Sequence, residues 1–245
     1  MILKEPSENK YNHIPLVNNF NNWWYKGRKE ILKYLITKEN FEFPIKILEI
    51  GPGVGVNIEI LQDFGEVDIL EVDGYFIELI NNNKKINVKE IYKNFGEINK
   101  KYDLIVFLDV LEHIEDPYVF LNKINNVLQD NGVGILSVPA YQGLFSNHDV
   151  ILQHFRRYNW QSLKNELAKN FKITKRMGYN FLLLPIRFIQ IKITKSVVSD
   201  TTVNSFINKV LTLIVKFEVT LLKMNVNLKM GLSLFAVFRK KDAQS

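Results

Sequence analysis

The sequence predicts an α/β fold in which a mostly parallel sheet is covered by helices on both faces. From residue 45 onward, short apolar runs alternate with polar segments of helix length. The run at 104–108 is apolar throughout, as is typical of a strand buried on both faces. The chain has 245 residues, 47% of them hydrophobic, which is enough for one sizeable core and favours one elaborated domain over two.

The first segment with a regular pattern precedes this alternation. Between about 14 and 38, apolar residues fall near helical spacing in the run NNWWYKGRKEILKYLI. The members of this apolar set are Trp24, Ile31, Leu32, Leu35 and Ile36. We therefore expect a helical cap over residues 1–44.

Five apolar runs have the length and composition of strands, and three segments between them have the length of helices. The third helix has clear ends, because it starts at Pro117, a favoured first-turn residue, and stops before Asn131 and Gly132. The strands are predicted at 45–50, 67–72, 87–92, 104–108 and 133–138, and the helices at 54–64, 74–83 and 117–129.

Two more strands, at 171–176 and 233–239, bring the predicted sheet to seven. The segment between them is too long for a hairpin loop and is predicted to form helices of its own. The domain then consists of the cap, a core at 45–178 and 233–241, and a basic, apolar helical insertion at 179–232.

Composition excludes several function classes. The chain has no cysteine, which rules out disulfides, thiolate metal sites and cysteine nucleophiles, and no metal site is predicted. The net charge of +6 is unevenly distributed. Residues 1–140 hold 15 Lys and Arg against 21 Asp and Glu, whereas residues 141–245 hold 17 against 5. The basic half suggests an anionic partner.

The apolar runs do not indicate secretion or membrane spanning. No stretch of signal-peptide length stands at the N-terminus and no uncharged run reaches about 20 residues, so a cytoplasmic location is expected. The lysine-studded segment 181–230 is interpreted in two ways, as helices on an anionic membrane surface at the inner face, or as a lid or dimer interface. No nucleic-acid motif accompanies it, and no nucleic-acid partner is expected.

A glycine-rich loop follows the first predicted strand. Gly51, Gly53 and Gly55 lie between that strand and a helix-like stretch, where backbone N–H groups can meet a nucleotide-like cofactor. Asp73 follows the second strand and is placed to accept hydrogen bonds from ribose hydroxyls. The dinucleotide fingerprint would need a glycine where Val56 stands, and no G-K-[ST] phosphate loop is present.

The G-x-G-x-G loop preceded by Glu49, together with the segment YDLIVFLDVLEHI at 102–114, resembles the class I S-adenosylmethionine-dependent methyltransferases over about 45–140. The resemblance implies a Rossmann-like methyltransferase fold and S-adenosylmethionine as cofactor. It also implies roles for the matching residues. Glu49, Gly51, Gly53 and Gly55 would meet the methionine portion, Asp73 the ribose, Leu108 or Asp109 the amino group, and Asn94 and Phe95 the adenine.

Further segments resemble a narrower methyltransferase group encoded with surface-glycan biosynthesis genes. These are WWYKGR at 23–28, VPAY at 138–141, HD at 148–149 and HFRRY at 154–158. The last two bring histidines, an aspartate, arginines and a tyrosine into one stretch that follows the fifth strand, at the sheet edge where ligands bind in open α/β folds.

This stretch predicts the catalytic and acceptor-binding groups. His148 or His154 could accept a hydroxyl proton, and Asp149 could orient the imidazole or act as the base itself. Arg156 and Arg157 suit a phosphate or carboxylate. Structural alternatives exist for these roles: Arg157 could pair with an acidic core residue, and Tyr158 could cap the sheet instead of binding acceptor. Trp24, a predicted substrate-binding residue that could also close over the cofactor as a lid, could instead be core.

The predicted function is methyl transfer to a hydroxyl of a sugar or lipid-linked glycan. One alternative is methylation of a quinone, lipid or other small metabolite. Another is an inactive, cofactor-binding partner in a glycan assembly complex.

Overall fold

A computed structural model describes residues 22–193, 205–224, 226 and 228–241. The predicted cap residues before 22, and the part of the insertion at 194–204, lie outside the described residues. Within the described chain, helices and strands alternate as the sequence predicts. No helix in these ranges has the length and apolar character needed to cross a bilayer.

A seven-stranded sheet forms the centre of the molecule. Its strands are β1 (Ile45–Ile50), β2 (Gly65–Leu70), β3 (Ile91–Tyr92), β4 (Tyr102–Leu108), β5 (Leu128–Pro139), β6 (Phe171–Tyr179) and β7 (Ser233–Lys240). Their order across the sheet is β3-β2-β1-β4-β5-β7-β6, and β7 runs antiparallel to the other six strands. The predicted seven-stranded, mostly parallel sheet is confirmed.

The helices cover both faces of this sheet. They are α1 (Trp23–Thr37), α2 (Ile58–Leu61), α3 (Gly74–Asn82), α4 (Pro117–Val127), α5 (Asn147–Ile151), α6 (Trp160–Leu167), α7 (Leu184–Ile193) and α8 (Ser205–Lys223). One apolar layer packs α4 and α6 on the sheet, and the other packs α1, α2 and α8 on the opposite face. Helices α7 and α8 belong to the predicted insertion.

Two elements are shorter than predicted by more than two residues. The segment 54–64 contains only the four-residue helix α2, because the left-handed glycine loop occupies its start and β2 begins directly after it. At the start of β2 the backbone lies close to β1, because a Cβ atom at Gly65 would be 1.9 Å from the Ile45 carbonyl oxygen. Strand β3 is a short edge strand of two residues, Ile91 and Tyr92, and the backbone of Lys89 and Glu90 just before it also forms hydrogen bonds with β2.

Helix α1 joins the insertion to the core. Its Gly27 lies where a Cβ atom would be 2.1 Å from the Tyr179 hydroxyl and 2.2 Å from Val215 of α8. The backbone N–H of Trp23 donates to Asn208 of α8 at 2.9 Å. The close approach that Gly27 permits therefore seats α8 against α1 and β6.

The strand order reverses between β1 and β4, which lie side by side and lead to segments on opposite sides of the sheet. In open α/β sheets ligands bind at the carboxyl ends of the strands at such a point. The glycine loop after β1 and the turn after β4 meet there, because a Cβ atom at Gly51 would lie 2.8 Å from Val110.

Candidate functional site

The glycine loop has a backbone that requires glycine. Gly51, Gly53 and Gly55 have φ values of +64°, +55° and +79°, in the left-handed region that other residues rarely adopt. Added Cβ atoms at Gly51 and Gly55 would meet neighbouring side chains, whereas at Gly53 nothing lies within 4 Å. Gly53 therefore presents bare backbone to open space, as a loop that receives a ligand must.

Two buried carboxylates stand behind this loop. Glu49, at the end of β1, accepts a hydrogen bond from the Asn57 side chain at 2.8 Å, and its second carboxylate oxygen is buried without a partner among the described residues. Burial raises the pKa of Glu49 to about 7, against the opposing effects of Asn57 and the Arg28 charge. Bringing a cationic ligand beside Glu49 would favour its ionised form.

The second carboxylate, Glu71, was not predicted. It accepts hydrogen bonds from the backbone N–H groups of Gly53 at 3.3 Å, Val72 at 2.9 Å and Asp73 at 3.0 Å. Burial raises the pKa of Glu71 although these N–H groups oppose the rise. Glu71 thus ties the glycine loop to the end of β2, and its position two residues before Asp73 was the signal available in the sequence.

Asp73 lies where the sequence places it, after β2 at the start of α3. It caps α3 by accepting a hydrogen bond from the Tyr75 N–H at 3.0 Å. Its side chain is buried beside Glu71, on the same side as the glycine loop. The ribose contact of Asp73 stays a prediction.

Asn94 and Phe95 follow β3 and begin a single 3₁₀ turn, Phe95–Glu97. Asn94 is exposed, caps this turn and donates to Glu97. Phe95 is half-buried, with its ring 5.8 Å from that of Phe120. Both lie beyond the carboxyl end of β3, so their adenine contacts stay predictions.

Leu108 is the last residue of β4, the strand next to β1, and Asp109 follows it directly. Asp109 has a φ of +57° and accepts hydrogen bonds from Arg28 at 2.9 Å and from the Ser137 hydroxyl at 2.7 Å. Arg28 is buried in α1, so this ion pair joins the N-terminal cap to the sheet edge. The WWYKGR segment contained Arg28, but the sequence did not show its partner.

The predicted catalytic stretch is organised around Asp149, which is fully buried in α5. Its two oxygens accept a bidentate pair of hydrogen bonds from Arg157, at 2.8 and 3.0 Å, and His154 Nδ1 lies 2.9 Å from one of them. The Ser146 backbone N–H also donates to it at 2.8 Å. The side chains of His154 and Arg157 and the backbone of Ser146 therefore all contact the carboxylate of Asp149.

These contacts keep Asp149 ionised. Burial alone would raise its pKa, but the hydrogen bonds from His154 and Arg157 and the guanidinium charge outweigh it and hold the pKa of Asp149 below its usual range. Both oxygens are engaged, which favours the orienting role over the role of base. Arg157 makes the core ion pair considered as its structural alternative.

The other predicted acceptor residues lie around this pair. Arg156 is partly exposed and donates to the Glu115 carbonyl at 2.8 Å. Tyr158 is buried and continues the sheet through a bridge to Ala140, as its structural alternative anticipated. Trp24 is half-buried with its ring 5.2 Å from that of Tyr179, which is core packing, and His148 is half-buried on α5.

A buried acid next to His154 was missed by the sequence reasoning. Glu112 lies in the turn after β4, and neither of its carboxylate oxygens has a hydrogen-bond partner among the described residues. Burial, with the nearby Asp109 charge, raises the pKa of Glu112 well above its usual value. Its burial follows from tertiary packing and leaves no mark in the sequence.

Glu112, His113 and His154 form a compact group. Their potential ligand atoms all lie within 4.8 Å of one another, and the two imidazole rings meet edge to face at 4.6 Å. Such a set has the donor types of a divalent-cation site, although no metal site was predicted. Because Nδ1 of His154 is hydrogen-bonded to Asp149, a metal ion at this group would be coordinated by Nε2. A histidine base needs the same nitrogen, so His154 could not bind a metal ion and act as a base at once.

A model of the methyltransferase domain family matches residues 23–175. Among curated relatives, a ubiquinone biosynthesis O-methyltransferase of Glaesserella parasuis is 24% identical over 194 residues, covering 62% of this chain and 82% of the relative. The protein of the same description from Rickettsia typhi is 28% identical over 135 residues, covering 47% of this chain and 55% of the relative.

Solved structures share the fold at low identity. An S-adenosylmethionine-dependent methyltransferase of Clostridium acetobutylicum superimposes with a TM-score of 0.56 and 13% identity, covering 88% of this chain and 91% of the other. A protein of Pyrococcus horikoshii gives a TM-score of 0.57 and 15% identity, covering 96% and 100%. These likenesses agree with the sheet order and helix layers described above.

Proposed function

Since this chain belongs to the methyltransferase domain family, we propose that it transfers the methyl group of S-adenosylmethionine to a hydroxyl of a lipid-linked glycan. The observation that carries the proposal is the buried Asp149, which holds His154 beside the turn that follows β4. The site then has a cofactor loop on one side and a histidine base on the other.

The residues around the glycine loop fit the cofactor. Gly53 offers bare backbone facing open space, and the unpartnered oxygen of Glu49 suits a positively charged group. Asp73 would hold the ribose hydroxyls, and Asp109 would approach the methionine amino group beside its ion pair with Arg28. When bound, S-adenosylmethionine supplies an electrophilic methyl group on a sulfonium.

His154 supports the chemistry at the acceptor. Its Nδ1 carries the proton that it donates to ionised Asp149, which leaves Nε2 as the acceptor for a hydroxyl proton. Arg157 keeps Asp149 ionised and so fixes the tautomer of His154. In this arrangement Asp149 and Arg157 are positioning residues, and the hydroxyl oxygen becomes the nucleophile as its proton moves to His154.

The lipid-linked, anionic character of the acceptor rests on the basic half and the insertion. Arg156 stands at the rim of the site, partly exposed, and can meet a phosphate. The ring of Phe188 in α7 lies 6.4 Å from that of Tyr141, so the insertion borders the loop that leads into the acceptor site. This protein would bind such an acceptor from the cytoplasmic side, at the inner face of the membrane.

The two histidines give the sharpest test. We expect His154→Ala to lower kcat by about 10²–10⁴-fold, the usual contribution of a general base, while the Kd for S-adenosylhomocysteine stays unchanged. His148→Ala is the matched variant, because His148 lies on α5 in the same stretch and is the other histidine predicted as a base, whereas it is His154 that contacts Asp149. Equal losses in the two variants, or none in either, would remove His154 as the base.

A quinone is the second candidate acceptor. The curated relatives are ubiquinone biosynthesis O-methyltransferases, and a phenolic hydroxyl would use the same base. Such a substrate is apolar and would also approach from a membrane. The two candidates differ in where label from the cofactor appears, in a glycan fraction or in a quinone fraction.

A further inference from the structure

Helix α8 has two opposite apolar faces: one is buried against the domain, and the other is exposed. Val215, Val219 and Leu222 are buried against the α1 side of the domain. On the other side Phe206 is 72% exposed, Leu213 65% and Phe217 55%. An amphipathic helix on a globular domain normally turns a polar face to water, so the exposed apolar face needs its own explanation.

The exposed residues form one stripe. Phe206, Val210, Leu213 and Phe217 are separated by four, three and four positions, which places them on the same line along a helix. Met224, also exposed, continues the line just past the helix end. Within α8 the stripe from Phe206 to Phe217 extends over about 17 Å.

Positive charge runs along one flank of the stripe. Lys209, Lys216 and Lys223 repeat every seven residues and are all exposed, with Lys223 also pairing with Glu30 of α1 at 3.0 Å. The acidic residue of α8, Glu218, faces the protein. It is buried and accepts hydrogen bonds from the backbone N–H groups of Asn180 and Leu182 at 2.8 and 2.9 Å.

The exposed surface of α8 therefore presents apolar side chains and cations, with its carboxylate turned inward. We infer that α8 lies in the plane of an anionic bilayer, with the stripe at the headgroup–acyl boundary and the lysines at the lipid phosphates. A protein partner with a purely apolar groove would match the stripe but would leave the row of lysines without counter-charges. Charge complementarity thus selects the lipid surface.

Helix α7 extends the same surface chemistry. Ile186 and Ile189 are 61% and 58% exposed, one helical turn apart. Because α7 also contacts the loop after β5 through Phe188, a bilayer that receives these helices would lie close to the acceptor site. The acceptor could then reach the site without its lipid leaving the membrane.

Flotation with vesicles tests this inference. The purified full chain would be mixed with neutral phosphatidylcholine vesicles and with vesicles containing phosphatidylglycerol, and the bound fraction measured. We expect the wild-type protein to bind the anionic vesicles, and the double variant Leu213→Ser/Phe217→Ser to bind them with an apparent Kd at least tenfold higher. Lys209→Gln/Lys216→Gln should weaken binding to anionic vesicles by at least tenfold and leave binding to neutral ones unchanged.

The control is Val119→Ser, which removes an exposed apolar side chain of α4 on another part of the surface and should bind as the wild type does. Unchanged thermal unfolding would show that the α8 variants remain folded. Absence of vesicle binding, or a wild-type dimer that the stripe substitutions dissociate, would overturn the inference in favour of another occupant. The assay needs no methyl acceptor, so its failure and the failure of the proposed function are distinguishable.

Discussion

Replacing Asp149 with asparagine tests the buried ion pair that organises the acceptor side. The substitution keeps the shape of the side chain but removes its charge, and it turns one oxygen that accepts from Arg157 into a donor. The guanidinium of Arg157 is nearly buried and would be left without a counter-ion. Breaking a buried pair in this way costs about 3–5 kcal/mol in the free energy of unfolding.

Urea denaturation at neutral pH measures this loss. Asp130→Asn is the matched control, because Asp130 pairs with Lys240 at 3.0 Å but is exposed to solvent, where ion pairs contribute little. The double variant Asp149→Asn/Arg157→Gln should lose less than the sum of the two single variants, since each removes the same interaction. A loss for Asp149→Asn no greater than that of Asp130→Asn would refute the reasoning.

The direction of the pH dependence follows from the same contacts. The pKa of Asp149 is lower in the folded protein than the ordinary value of 3.8, so the unfolded chain binds more protons at low pH. Its stabilising contribution is therefore present above about pH 4 and is lost as the pH falls below that value. In Asp149→Asn this part of the acid destabilisation should disappear.

Three further predictions concern the cofactor side and the cap. Because burial raises the pKa of Glu49 to about 7, the unliganded protein should lose up to about 3 kcal/mol of its free energy of unfolding as the pH rises from 4.5 through 7. Over the same pH range, calorimetry should find that the cofactor binds more tightly. Glu49→Gln should abolish both pH trends. Gly53→Ala should cost about 1–2 kcal/mol of stability through its φ of +55° and reduce cofactor affinity in the same titration, and normal affinity would show that the loop does not meet the cofactor. Gly27→Ala should cost about 1–3 kcal/mol, because the new methyl group would overlap Tyr179 and Val215, and a wild-type urea midpoint would contradict that packing.

The parts of the molecule that the sequence predicts are those with local causes. Gly51, Gly53 and Gly55 have positive φ angles, which glycine adopts more easily than other residues. The three glycines in the sequence were therefore enough to predict the loop. The start of helix α4 is predicted by Pro117, a favoured first-turn residue. Strand alternation likewise depends on neighbouring residues, and it predicted all seven strands.

The parts that the sequence does not predict depend on distant partners. Arg28 and Asp109 are 81 positions apart, and nothing near either residue indicates the other. Glu112 is an ordinary acidic residue in the sequence, and only packing shows that its carboxyl is buried beside His154. Whether Asp149 acts as a base or an orienter could be weighed only once its contacts were known.

The central claim is tested most directly by following a labelled methyl group into fractionated extract of the source organism. Wild-type protein and S-adenosylmethionine labelled on the methyl carbon would be incubated with a lipid-linked glycan fraction and, separately, with a quinone fraction. We predict label in the glycan fraction, with the signal lost in His154→Ala. Label in the quinone fraction alone, or in neither fraction while the cofactor still binds, would contradict the account.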